Sequence, residues 1–113
     1  MDRKTIYNKL STVAKVRQLS NREDVVKEPT LILMKKSLSV SANTELAGFQ
    51  YWDVICYVPA KSLIALDDLI VKVEQALKEL EVELTFSRTP EFYDDVLKAY
   101  MVTVEFRTIK SSI

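Results

Sequence analysis

Trp52-Asp53-Val54-Ile55-Cys56-Tyr57-Val58-Pro59 and the run from Leu63 to Leu80 decide the fold. The first piece is a nearly continuous series of β-branched and aromatic residues, which reads as a buried strand stopped by proline. In the second, Leu63, Leu66, Leu69, Ile70, Val73, Ala76, Leu77 and Leu80 recur at spacings of three and four. That draws one apolar stripe along a helix, while Asp67, Asp68, Lys72, Glu74, Lys78 and Glu79 fall mainly outside it. Burying about six aliphatic side chains, at roughly 1.5–3 kcal/mol each, makes this helix a principal part of the core. Between strand and helix, Ser62 is placed to cap the helix by accepting from an orphan backbone N–H. Asp67 and Asp68 stand about one turn further in. The helix dipole favours carboxylates there, and adjacent helical positions diverge too widely for the pair to share a metal.

Outward toward the C-terminus the period changes to two. Val82, Leu84 and Phe86 alternate with Glu83, Thr85 and Ser87, a half-buried strand. Arg88 to Asp95 reads as a polar connection containing Pro90. From about Leu97 to Ile109 a last strand sets Tyr100, Val102, Val104 and Phe106 against Met101, Thr103, Glu105 and Arg107, so the two strands should pair as an antiparallel hairpin. Lys110-Ser111-Ser112 reads as a fraying tail.

Outward toward the N-terminus, Ile6, Leu10, Val13, Ala14 and Arg17 predict a helix over residues 4–18, closed by the polar Ser20 to Asp24. A short helical turn at Val25-Val26 is weakly signalled, and Leu31 to Met34 predicts a strand. In Lys36 to Ala42, Leu38, Val40 and Ala42 alternate with Ser37, Ser39 and Ser41, the pattern of a strand with one wet face. Two readings stand for it: an edge strand of the same sheet, or an extended arm that finds its apolar partner on another subunit. Asn43 to Gly48 supplies the loop before the central strand. The expected architecture is therefore α+β, in the order α-β-β-α-β-β. A mainly antiparallel sheet of about four strands carries two helices on one face, all in a single domain over residues 1–113.

The composition narrows the chemistry. With 113 residues, 48% hydrophobic and 28% charged, the chain can build one core without staples. No apolar run approaches a membrane span, and no apolar segment follows Asp2, Arg3 and Lys4 to make a signal peptide, so synthesis in a reducing cytoplasm is expected. There is no histidine, which removes Ser-His-Asp and Cys-His catalysis and histidine-ligated metals. A single glycine, Gly48, precludes a phosphate-binding or dinucleotide-binding glycine loop. Cys56, alone, excludes an intrachain disulfide and sits where a small hydrophobe would pack. Neither an enzymatic role nor a metal or other cofactor is expected.

Charge cancels overall, sixteen against sixteen, which argues against general nucleic-acid affinity. Residues 1–50 nevertheless hold nine Lys/Arg and five Asp/Glu, and residues 51–113 hold seven and eleven. That asymmetry suits contact between a basic face of one copy and an acidic face of another, or is chance in a short chain. Glu91, Asp94 and Asp95 read as a solvated acidic loop rather than a cation site, lacking the glycine turn and spacing of a calcium loop. Phe92 and Tyr93 place aromatics among those charges, a composition common in interfaces. Tyr51, Trp52 and Tyr57 could stack nucleobases only beside a basic groove, so core packing accounts for them better.

The second half of the chain resembles a known family. The aromatic strand ending Tyr57-Val58-Pro59, the helix from Leu66-Asp67-Asp68-Leu69-Ile70 to Ala76-Leu77, and the closing strand Lys98 to Arg107 look like the small tail-completion proteins of long-tailed bacteriophages, the tail terminator and tail-to-head joining proteins. The resemblance covers about residues 50–110. It implies a structural virion protein, assembled in the host cytoplasm as a ring, typically a hexamer, on the end of the tail tube. Its partners would be the tail tube protein and the head connector proteins. The resemblance transfers no catalytic or cofactor residue. Leu38, Val40, Ala42, Phe92 and Tyr93 are the residues expected at the subunit boundary. The rival readings are a head-side connector or stopper of the neck, a regulatory α+β module that binds a small molecule, and a carboxylate-dependent enzyme.

Overall fold

The computed structural model describes residues 2–17, 25–36 and 49–109. Within these the chain runs α1 (Arg3–Leu10), β1 (Lys15–Arg17), β2 (Thr30–Lys35), β3 (Phe49–Pro59), α2 (Leu63–Glu79), β4 (Glu83–Arg88), β5 (Phe92–Asp94) and β6 (Ala99–Ile109). Among the described residues the fold is α+β, with two helices on a six-stranded mixed sheet ordered β1-β2-β3-β6-β4, and β5 added to β6. The spine is the antiparallel pair β3–β6, in register over eleven positions from Phe49↔Ile109 to Pro59↔Ala99. β2 joins β3 antiparallel and β1 joins β2 parallel.

Alternation along the spine divides the sheet into two faces. Trp52, Val54, Cys56 and Val58 of β3 and Val102, Val104 and Phe106 of β6 point to one side, where Ile6 and Leu10 of α1 and the α2 stripe close the main core. Six of the eight stripe residues on α2, Leu66 through Leu77, are buried. Leu63 is instead exposed in the first turn, and Leu80 is the C-cap. Ser62 caps the helix as its sequence position suggests, accepting from Ala65 N–H at 3.3 Å. At the other end Glu81 takes φ +62°, with Glu81 N–H donating to Lys78 O and Val82 N–H to Leu77 O. This is a Schellman closure built without the usual glycine. Trp52 stacks on Phe106 at 6.1 Å between centroids and donates from Nε1 to buried Thr108 Oγ1 at 3.0 Å.

The opposite face carries a smaller cluster of Val26, Ile32, Tyr57, Leu97 and Ala99, flanked by Met34, Ile55 and Met101. Ile55 thus lies on the face away from α2, although its strand is the one that α2 covers.

Several sequence expectations need correction. The first helix stops at Leu10, not near residue 18, because Ser11 Oγ and Thr12 Oγ1 bond back to the Tyr7 and Lys9 carbonyls and close the turn. Val13 and Ala14 still pack on the main core, which is why the apolar spacing runs on past the helix. Their continuation is β1, so the sheet is mixed rather than mainly antiparallel. The Arg88–Asp95 connection contains a strand, since Phe92, Tyr93 and Asp94 pair with Met101, Tyr100 and Ala99. The sheet therefore has six strands rather than about four. Val25-Val26 is not helical. β4 does pair antiparallel with β6, with a register shift between Leu84 and Arg88. The Ser20–Asp24 connection, the alternating run with Leu38, Val40 and Ala42, the Asn43–Gly48 loop and the Lys110–Ser112 tail lie outside the described residues, as does the side chain of Phe86.

Candidate functional site

The surface most unlike a solvated face lies where β3 ends at Pro59 and β6 begins at Ala99. There β5 and β6 form a hairpin closed by Asp94, whose Oδ1 accepts from Val96 N–H at 3.0 Å and Leu97 N–H at 2.9 Å. Lys98 takes φ +53° in this turn and pairs with Asp95 at 3.2 Å. Leu97 is buried in the smaller cluster, and its carbonyl accepts from Val26 N–H at 2.9 Å. The hairpin is thus anchored, yet it presents Phe92 at 61%, Val96 at 68% and Tyr93 at 44% exposure. Tyr93 meets Tyr100 edge-on, with centroids 6.0 Å apart. Leu63 and Ile64, which begin α2 just beyond Pro59, expose two more aliphatic side chains at this end. Of the residues expected at the boundary, Phe92 and Tyr93 therefore stand on a built, exposed hairpin. Leu38, Val40 and Ala42 lie outside the described residues.

At the opposite end of the sheet face away from α2 lies a charged group that the sequence pattern does not assemble. Asp53 and Glu105 are directly opposed across β3–β6. Lys36 Nζ donates to Glu105 Oε2 at 2.5 Å and lies 3.8 Å from Asp53 Oδ1, while Thr85 Oγ1 donates to Glu105 Oε1 at 2.7 Å. Burial pushes the Glu105 carboxyl up, but the hydrogen bonds from Lys36 and Thr85 and the Lys36 charge outweigh it, leaving the carboxyl below its ordinary range. Asp53 goes the other way: partial burial raises it, and Glu105 opposite adds to the rise against the pull of Lys36. The two opposed carboxyls are thus pushed in opposite directions, Glu105 down by its hydrogen bonds and Asp53 up by its partial burial. The signal was an acid interrupting the apolar run of β3 and another on the polar face of β6, but only the register shows that they face each other. Beyond them, Arg107 stacks on Phe49 at 3.8 Å, donates to Tyr51 Oη at 3.2 Å and pairs with Glu83.

The remaining singled-out residues are accounted for locally. Cys56 is buried, and burial, with Glu74 adding to it, pushes its thiol up to about 12, so it packs as a hydrophobe. Trp52 and Tyr57 are core residues of the two clusters, and Tyr51 is half-buried beside Arg107. Asp67 and Asp68 are both exposed. In the acidic loop Asp94 holds the turn and Asp95 pairs with Lys98 at the surface, while Glu91 is exposed. Among the described residues no group of three or more His, Cys, Asp or Glu could hold a metal ion, and no helix is long and apolar enough to cross a membrane. No family model, curated protein or solved structure matches this chain.

Proposed function

We propose that this chain is a structural virion protein that caps a phage tail tube as an oligomeric ring, typically of six copies, and forms the tail side of the head–tail joint. Its role is mechanical rather than catalytic. The observation that carries the reading is that the strand, helix and strand resembling tail-completion proteins are the centre of the molecule. β3 and β6 pair over eleven positions with α2 laid across them. The anchored hairpin with exposed Phe92, Tyr93 and Val96 also supports it, since apolar side chains held out on a rigid turn suit contact with another protein. In this reading the alternating Leu38-Val40-Ala42 run adds a strand to a neighbour, its serine face avoiding the cost of buried charge.

A genetic experiment tests the role. A phage carrying a stop codon in this reading frame should produce filled heads and tubes of uncontrolled length that do not join. Tubes of normal length that remain unjoined would favour the head-side connector. Joined, infectious particles would refute both roles.

A further inference from the structure

We infer that successive copies join head to tail through the two edges of the sheet, the basic β1 edge of one copy receiving the acidic β5 hairpin of the next. The inference deepens the ring reading and rests on it. The charge asymmetry of the sequence becomes spatial in the fold. Described residues of the first segments, 2–17 and 25–36, hold eight basic and two acidic side chains, and they build α1, β1 and β2 on one side of the sheet. Residues 81–95, with five acidic and one basic, build β4 and β5 at the other edge.

The two edges also match in shape and in register. Beside β1 a groove of about 510 Å³ is lined by Lys15, Arg17, Val25, Lys27 and Glu28. Across the sheet, Lys15 pairs with Thr30, Thr30 with Tyr57, Tyr57 with Met101, and Met101 with Phe92. Groove and exposed Phe92 therefore end the same lateral row. A copy displaced along that row, without sliding along the strands, brings its Phe92 to the Val25 groove, with Glu91 and Asp95 beside Lys15 and Lys27. Among the described residues Lys15, Lys27 and Glu91 are exposed and form no ion pair of their own. The contact uses different surfaces on the two copies, so it repeats, and the rotation between copies closes it into a ring or leaves a filament.

The test is sedimentation of the purified full chain at low and high salt, with two edge variants. Lys15→Glu/Lys27→Glu reverses the basic edge and Glu91→Lys/Asp95→Lys the acidic one. Each should weaken self-association about tenfold or more at low salt, with far-UV circular dichroism and melting unchanged. Mixed together, the two variants should assemble in alternation, because each joint between unlike variants again sets a basic edge against an acidic one. The chain carrying all four reversals should assemble again, a rescue that misfolding cannot mimic. The inference is overturned if the parent is monomeric at every salt and concentration, if both variants assemble like the parent, or if only one does. Rings on tube ends formed equally by the variants would sink this contact and leave the ring reading standing. Parental head-to-tail association without tube binding would do the reverse.

Discussion

Leu69→Ala probes the packing of α2 on the sheet. Leu69 is 4% exposed and belongs to the main cluster with Val54, Cys56, Val102 and Val104. Truncation removes the carbons beyond Cβ at about 0.8 kcal/mol each and leaves a cavity that a β-sheet floor cannot readily collapse into. The expected cost is about 3 kcal/mol, which for a domain of this size lowers Tm by roughly 12 °C. Urea titration followed by circular dichroism should show the midpoint falling while the slope stays constant, as for a pure loss of stability. Val71→Ala, on the same helix but 52% exposed, is the control and should change stability by less than about 0.5 kcal/mol. If Leu69→Ala costs less than about 0.5 kcal/mol, or the two variants cost the same, the helix does not face the sheet as described.

Thr108→Val should cost about 1–3 kcal/mol in chemical denaturation, because it strands the buried Trp52 Nε1–H that Thr108 Oγ1 accepts. Glu81→Gly should stabilise by about 0.5–1 kcal/mol by relieving the left-handed helix terminus, and a loss there would contradict the Schellman geometry. Asp53→Asn should raise stability near pH 7 by about 0.5 kcal/mol by removing the acid opposed to Glu105. A raised folded pKa means that the parent regains that stability as the pH falls toward 4, so the two melting curves should converge there. Glu105→Gln should do the opposite. Its depressed pKa contributes stability present above the ordinary Glu range and lost as pH falls through the folded value, so the variant should be weaker at pH 7 and level with the parent in acid. Val40→Asp should prevent ring assembly while leaving circular dichroism and the thermal midpoint nearly unchanged, and an unfolded monomer would instead favour the plain edge-strand reading.

The central strand, the long helix, its Ser62 cap and the closing strand were all legible, because each carries a long run of one period. What failed was short or shared between periods. Val13, Ala14 and Arg17 continue a helical spacing although the chain has already turned at Ser11 and Thr12, and three residues are too few to declare β1. Phe92 and Tyr93 read as interface aromatics in a loop, yet they also form a strand, because Met101 and Tyr100 offer an open edge that no local pattern announces. The Lys36–Asp53–Glu105–Thr85 group was hidden because its members come from four segments joined only by register. The charge asymmetry was visible as a count, but its division between opposite sheet edges required the strand order.

Electron microscopy of tail tubes, assembled from the tube protein of the same genome in the presence of this chain, tests the central claim most directly. The account predicts a ring of density at one end of each tube, containing several copies of this chain, and tubes that stop growing once it is bound. Tubes that elongate without limit with both ends bare, while the chain stays in solution, would contradict it.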